Sequence, residues 1–154
     1  MILSDNPETL EHFRKTPWKF QQTFKTPLKN SSNFVATILS GCSGLRGASI
    51  TIDAVVFEPK HLIGLLNNHL IPPRYSKGVT LTTDGPEQVS SLLDAALSDW
   101  IDFIFLPTPK TFAIYADHDE YATFYAHTRS NLNRVTQPLL AAGFTVVQNY
   151  LRRL

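Results

Sequence analysis

Cysteine, long apolar runs and secretory features are scarce in this sequence. Cys42 is the only cysteine, which excludes a disulfide within the chain and any zinc site built from several thiolates, and a lone thiol suits a reducing compartment. The first seven residues have neither the cationic start nor the apolar run of a secretory signal. The longest apolar runs, 34–39 and 101–106, are far shorter than the ~20 residues of a membrane span. We therefore predict a soluble, cytoplasmic protein.

A large net charge is also missing. Fourteen basic and thirteen acidic residues leave a formal charge of +1, so no overall field attracts the chain to nucleic acid or to an anionic membrane. One local asymmetry remains, because no acid occurs between Glu11 and Asp53. The composition, 43% hydrophobic and 18% charged, is that of an ordinary globular protein. A chain of 154 residues fits one domain, which can bury about 70% of its unfolded surface.

The sequence motifs of several common enzyme classes are absent. The glycine-containing segment 41–47 lacks the lysine and the Ser/Thr ending of a phosphate-binding P-loop, and we interpret it as the loop of a hairpin. No G-x-S-x-G segment is present, and no residue near Cys42 in the sequence offers a base for a thiol nucleophile. No two histidines have the spacing of a zinc-binding helix. The sequence therefore predicts neither a metal site nor a cofactor.

The N-terminal part of the chain predicts a short helix and an extended segment. Asn6-Pro7-Glu8 is a typical helix start, with Leu10 and Phe13 on the buried side, and Pro17 disfavours helix at the residue before it. Residues 13–29 have no hydrophobic periodicity and predict an extended arm. We therefore predict two parts, a short helix with a basic and aromatic arm (1–32) and a single α+β domain (33–154).

Residues 33–154 predict alternating strands and helices. β-Branched and aromatic runs at 34–39 and 48–57 predict a β-hairpin, and a helix follows from Pro59 until Pro72-Pro73. The remaining elements are a strand (78–83), a helix beginning near Asp84, two strands (102–106 and 111–116), a long helix (118–142) bent near Pro138, and a last strand (144–150). Residues 78–150 then have the order β-α-β-β-α-β of ferredoxin-like folds, an antiparallel sheet with helices mainly on one face.

The densest cluster of titratable groups is Asp117-His118-Asp119-Glu120. Asp117 stands where the predicted long helix needs a cap, and Glu120 completes a capping box, so we interpret the cluster as a helix start. A catalytic alternative would use His118 with Asp119 and with His127 farther along the helix. Successive helical residues point about 100° apart, so His118, Asp119 and Glu120 do not converge on one metal ion.

A mixed polar stripe follows one flank of the same predicted helix. It consists of Glu120, His127, Asn131 and Arg134. These residues either line a pocket or form an ordinary solvated flank, and the sequence leaves both possibilities open.

The arm is the best candidate for binding. Residues 13–29 interleave four aromatic side chains with five cations, a combination that attracts phosphates and stacks on bases. Alternatively, Trp18, Phe20 and Phe24 pack on the core or on a second subunit. The candidate binding residues are Trp18, Lys19, Phe20, Lys25, Arg129 and Arg134.

Three functions are compatible with these features. The leading hypothesis is a small soluble interaction or regulatory module without catalysis, with a homodimer or protein partner bound through the arm. The second is a hydrolase or phosphate-ester enzyme that uses His118 or His127 with Asp119, and Arg129 or Arg134 to hold an anionic group. The third is nucleic-acid binding through residues 13–29. No membrane partner is predicted.

Overall fold

A computed structural model describes residues 1–153 and shows a mixed α+β fold with seven strands and five helices within that range. The elements are β1 (Ile2–Asp5), α1 (Glu8–Lys15), β2 (Phe20–Lys25), α2 (Ser31–Ser40), β3 (Gly47–Ala54), α3 (Lys60–Asn68), β4 (Val79–Asp84), α4 (Pro86–Ser98), β5 (Asp102–Thr108), β6 (Ala113–Ala116), β7 (Tyr121–Ala126) and α5 (Arg129–Ala141). Within residues 1–153, no helix is long and apolar enough to cross a membrane.

The strands form one antiparallel sheet with the order β1-β4-β3-β5-β6-β7-β2. The N-terminal strands β1 and β2 occupy its two opposite edges. Residues 144–147 run beside β2 and make a single bridge between Phe24 and Val146. The N-terminal segment is thus part of the sheet at both ends.

The main core lies between one face of the sheet and helices α2 to α5. Successive strand residues point to opposite faces, so Ile50 and Ile52 of β3 and Phe103 and Phe105 of β5 share the covered face. Phe34, from α2, is fully buried in the same cluster. This layer holds most of the buried apolar surface, which is the main stabilising contribution in a domain of this size.

The opposite face of the sheet is covered by α1 and otherwise carries many polar side chains. Leu10 and Phe13 of α1 pack on Ile104, Ala113 and Tyr125 in a second, smaller cluster. Away from this contact the same face carries hydroxyl and carboxylate groups. They include Ser49, Thr51 and Asp53 from β3 and Thr80 and Thr82 from β4. Trp18 packs on this face, whereas Phe20 packs against the main core on the other face.

Several predicted elements are confirmed. The short helix after Pro7, the helices after Pro59 and Gly85, and the strands near 78–83, 102–106 and 111–116 all occur. Their bounds differ from the prediction by one or two residues, except that the helix after Pro59 ends at Asn68, well before Pro72-Pro73. The general prediction of an antiparallel sheet in an α+β fold is also confirmed. Helix α2 crosses the position between residues 32 and 33 at which the sequence predicted the domain to begin.

The predicted hairpin of residues 34–39 and 48–57 is wrong, because its first half is helix α2. Phe34, Val35 and Ile38 are buried on one side of that helix, where it packs against α4 and α5. A short apolar run fits either a strand or a helix by its periodicity, and here the tertiary packing decides. Residues 41–46 therefore join a helix to a strand.

The predicted helix 118–142 is wrong in its first third. Residues 121–126 form β7, in agreement with their aromatic and β-branched composition, and the helix begins only at Arg129. Its N-cap is Thr128, whose Oγ1 accepts a hydrogen bond from the amide of Asn131 at 3.1 Å. Pro138 does lie within a helix, α5.

The ferredoxin-like order is not confirmed. With β7 in place, the chain from β4 to α5 reads β-α-β-β-β-α, and the predicted strand 144–150 contributes only the bridge at Val146. The sheet is also larger than that motif, since β1 and β2 are added at its two edges and β3 lies between β4 and β5.

Candidate functional site

The cluster 117–120 forms the turn between β6 and β7 rather than a helix start. Asp117 Oδ1 accepts hydrogen bonds from the amides of Asp119 at 2.9 Å and Tyr121 at 3.1 Å. Glu120 has the left-handed conformation, with φ of 74°, that closes the turn. The predicted capping box is therefore wrong, although Asp117 does bind free backbone amides. The same residue type suits both tasks, since aspartate readily bonds nearby amides in turns.

His118 is held by an aspartate that the sequence did not indicate. Asp102 Oδ1 accepts hydrogen bonds from the backbone amide and from ring Nδ1 of His118, both at 2.8 Å. The side-chain hydrogen bond between Asp102 and Nδ1 is the main reason why the pKa of His118 is raised above its ordinary value. Desolvation acts in the opposite direction. Asp119 is mostly exposed, and its Oδ1 lies 3.8 Å from Nε2. Asp102, not Asp119, therefore orients the imidazole.

A second aspartate–histidine pair has the same geometry. Asp99 Oδ1 lies 3.1 Å from the amide of His61 and 2.7 Å from its ring Nδ1, while Oδ2 accepts from the amide of Leu62 at 2.8 Å. Asp99 thereby satisfies the free amides at the start of α3, a helix whose own N-cap residue, Pro59, makes no side-chain cap. Because this pair has a structural duty, the same geometry at His118 is not by itself a sign of catalysis.

Asp53, at the end of β3, joins several polar groups on the α1-covered face. Its carboxylate accepts hydrogen bonds from the Tyr115 hydroxyl at 2.6 Å and from the Arg14 guanidinium at 3.0 Å, and Lys77 lies at 3.5 Å. Desolvation raises the pKa of Asp53, but Tyr115, Arg14 and Lys77 together outweigh it and lower the pKa. Burial and the Asp53 contact raise the pKa of Tyr115. Asp53 is thus a stable anion that ties α1 to the sheet.

His127 lies at the opposite end of β7 from His118. Strand β7 has six residues and is roughly 20 Å long, so the two histidines do not share a site. The imidazole of His127 stacks on the indole of Trp18 with 4.6 Å between ring centroids and 20° between planes. His127 is exposed and its partner Trp18 is half-buried. The predicted polar stripe is also divided, because only Asn131 and Arg134 lie in a helix.

Four of the six candidate binding residues line one pocket beside Trp18. This pocket has a volume of about 420 Å³. Its lining consists of Trp18, Lys19, Phe20, Gln21, Arg129 and Leu151. The guanidinium carbon of Arg129 lies 4.5 Å from the centroid of the Phe20 ring, a cation–π contact. Within residues 1–153, neither Lys19 nor Arg129 has a carboxylate within salt-bridge distance.

A second pocket adjoins the first at Trp18. It is a groove of about 610 Å³ between α1 and the sheet. Its floor carries Ser49, Thr80 and Thr82, and its walls include His12 and His127. We call the two adjoining pockets the Trp18 site.

The other two candidate binding residues lie outside the Trp18 site. Lys25 borders a different pocket together with Glu120, and Arg134 is on the exposed side of α5. The aromatic residues of the predicted arm pack within the chain: Phe13 and Phe24 are buried, and Trp18 and Phe20 are half-buried.

Two other kinds of chemistry find little support in the geometry. Within residues 1–153, no group of three or more His, Cys, Asp or Glu side chains is arranged to hold a metal ion. Burial raises the pKa of the Cys42 thiol to about 11, so the thiol is protonated at neutral pH. Comparison of the chain with protein-family models, curated proteins and solved structures finds no match.

Proposed function

We propose that the protein is a non-catalytic binding module whose ligand occupies the Trp18 site. The observation that carries this proposal is the meeting of two pockets at Trp18, with His127 stacked on its ring and Arg129 placed over the neighbouring Phe20. Concave sites that combine aromatic walls with a few polar groups are the usual places where proteins bind ligands. The two stacks hold the polar groups in place before a ligand arrives, which lowers the entropic cost of binding.

The groups of the Trp18 site favour a ligand with a planar part and an anionic part. Arg129 and Lys19 offer several N–H donors without a neighbouring carboxylate, and Trp18, Phe20 and His127 offer ring surfaces. Among residues 1–153, neither His12 nor His127, the histidines that line the groove, has a carboxylate bound to its ring in the way that Asp102 binds His118. Binding without turnover is therefore the function that these groups support best.

Small probes test this proposal. We expect phenyl phosphate to shift the NMR signals of the Trp18 indole N–H and of the Arg129 backbone, and inorganic phosphate or phenol alone to do so more weakly. The double variant H127A/R129A is expected to lose the shifts. The variant K60A, on the exposed start of α3, is the matched control and is expected to keep them. Shifts centred on the turn 117–120 instead of Trp18 would remove the proposal.

A second candidate function rests on the Asp102–His118 pair. Its geometry, with Nδ1 held and Nε2 left available, is that of a histidine able to act as a general acid or base. As a hydrolase, the protein would cleave p-nitrophenyl phosphate or p-nitrophenyl acetate faster than its H118Q and D102N variants. Equal rates for all three proteins are the result expected of a binding module.

A further inference from the structure

Acidic and basic residues are unevenly distributed along the chain, although the net charge is close to zero. No Asp or Glu occurs in residues 12–52 or in residues 121–154, so all thirteen acids lie in 1–11 and 53–120. The two acid-free segments contain ten of the fourteen Lys and Arg residues. A separation of this kind creates a local positive potential even in a protein whose total charge is close to zero.

The fold brings the two acid-free segments together at one end of the sheet. Strand β2, from the first segment, pairs along its whole length with β7, from the second. Helix α5 packs on both strands and on α2. We call these four elements, which contain no Asp or Glu, the acid-free end; the acids that border it include Glu120, in a pocket with Lys25, and Asp94, which accepts a hydrogen bond from Ser31. The first pocket of the Trp18 site lies on this end, because Lys19, Phe20 and Arg129 come from its elements or from residues directly beside them. The adjoining groove is bordered by α1 and includes one acid, Glu8.

Several cations at the acid-free end have no ion-pair partner. Arg14, Lys15 and Arg152 are neutralised by acids of the other segments. The remaining cations have no carboxylate within salt-bridge distance among the residues that the structure describes. At β2, α5 and their flanks these are Lys19, Lys25, Lys29, Arg129, Arg134 and Arg153. Their charge is available to an external polyanion.

Two planar side chains cap aromatic rings at the Trp18 site. His127 lies on Trp18 and Arg129 lies over Phe20, and both capping groups are exposed. Only Thr128 separates them in the chain. Imidazole rings and guanidinium planes are surfaces on which unpaired nucleobases stack, while lysines beside them neutralise the phosphates. The two stacks therefore offer two neighbouring platforms.

We propose that the ligand of the Trp18 site is a single-stranded nucleic acid, with bases on the planes of His127 and Arg129 and phosphates near Lys19. This inference rests on the proposed function, since it names the ligand class of the same site. A duplex hides the faces of its bases, so it would use the charge but not the two platforms. An acidic peptide or an anionic membrane would likewise use only the charge.

Fluorescence anisotropy with labelled 12-mers tests the inference. We expect an RNA or DNA single strand of mixed sequence to bind more tightly than the matching duplex, than an abasic 12-mer with the same number of phosphates, than a polyglutamate 12-mer and than phosphatidylserine vesicles. The affinity should fall steeply with salt, with a log–log slope that changes by about 0.7 for each lost phosphate contact. Tighter or equal binding of the duplex, the abasic strand, the peptide or the vesicles would overturn the inference.

Single substitutions separate stacking from charge. R129K keeps the charge but removes the planar group, and we expect it to weaken binding of the base-containing strand about tenfold, within the range of lost base stacking, and to leave the salt slope unchanged. K19Q is expected to reduce the salt slope instead. K60Q, in α3 and outside both pockets of the Trp18 site, is the control with the same loss of charge as K19Q. An R129K variant that binds as tightly as the wild type contradicts the base platforms.

The failures of the two proposals are distinguishable. If phenyl phosphate shifts the Trp18 signals but no oligonucleotide binds, the ligand class is wrong and the binding site stands. If the oligonucleotide binds but H127A/R129A does not weaken it, the nucleic acid binds elsewhere and the inference is wrong. The proposed function fails as well only if phenyl phosphate does not shift the Trp18 signals. Far-ultraviolet circular dichroism of each variant confirms that the substituted proteins are folded.

Discussion

The guanidinium of Arg152 and the carboxylate of Asp117 lie 2.6 Å apart, and only 11% and 12% of the two side chains are exposed. Arg152 Nε also donates to Thr123 Oγ1 at 3.0 Å, and its guanidinium lies 4.7 Å from the centroid of the Tyr115 ring. The backbone amide of Arg152 donates to Gln21 Oε1 at 2.8 Å. These contacts bind the segment after α5 to the turn 117–120 and to strand β2.

Removing the Arg152 side chain is expected to destabilise the protein substantially. The variant R152A leaves the carboxylate of Asp117 little exposed and without its cation, and breaking such a pair costs about 3 kcal/mol. Urea unfolding measures the loss. R153A is the matched control, because Arg153 is exposed and forms no ion pair within residues 1–153. Equal urea midpoints for R152A and R153A would show that the buried pair contributes little.

His118 is expected to titrate above the ordinary histidine pKa of about 6.5. Because the pKa is raised in the folded state, the interaction with Asp102 stabilises the protein fully below pH 6.5 and is lost as the pH rises through the folded-state pKa. NMR titration of the His118 ring protons measures the pKa directly. The variant D102N removes the negative charge of Asp102 and should lower the pKa of His118 towards its ordinary value.

D119N is the control for D102N and should lower the pKa of His118 less, because Asp119 is mostly exposed and its Oδ1 lies 3.8 Å from Nε2. A pKa of His118 at or below the ordinary value in the wild type, or one that D102N does not lower, would contradict the role of Asp102.

The Tyr115 hydroxyl is expected to stabilise the protein more at neutral pH than at low pH. Asp53 has a lowered pKa in the folded state, so its contacts stabilise the protein above the unfolded pKa of about 3.9 and this contribution is lost as the pH falls through the folded-state pKa. Y115F removes a hydrogen bond to the carboxylate and should cost about 2 kcal/mol at pH 7, with a smaller difference at pH 2. Urea unfolding of wild type and Y115F at pH 7 and at pH 2 measures the loss of stability at each pH.

The same substitution at Tyr75 provides the control for Y115F. Tyr75 is 38% exposed, and Y75F is expected to change the free energy of unfolding by less than about 0.5 kcal/mol. A loss in Y115F that is as large at pH 2 as at pH 7 would assign the effect to packing rather than to Asp53.

The errors of sequence-based prediction occur where local signals are compatible with two structures. Residues 34–39 are apolar and β-branched, yet their buried positions fit a helix once α4 and α5 supply a packing surface. Asp117 followed by Glu120 resembles a capping box, but an aspartate also closes a turn, and the strand after it follows from its aromatic composition. Elements with clear start and stop signals, such as α3 and α4, were predicted correctly.

The candidate site was partly predictable because several of its residues belong to a short segment rich in aromatic and basic side chains. Trp18, Lys19 and Phe20 are consecutive, and the pairing of β2 with β7 brings Arg129 beside them. The partners Asp102 and Asp53 were missed, because their roles depend on which strands are neighbours in the sheet. The signal that both of them carry is a carboxylate close to one end of a strand.

Two glycines offer a matched test of the packing behind the Trp18 site. A Cβ on Gly41, at the end of α2, would lie 2.6 Å from the carbonyl oxygen of Arg134 in α5, whereas a Cβ on Gly64 in α3 meets nothing within 4 Å. G41A must push α2 away from α5 and is expected to cost about 1–3 kcal/mol. G64A lies within a helix on an exposed surface and should stabilise the protein by up to about 1 kcal/mol. Thermal unfolding measures both changes.

Since α5 begins at Arg129, G41A should also weaken phenyl phosphate binding at the Trp18 site, and G64A should not. A stabilising G41A would show that the close approach of α2 and α5 is absent.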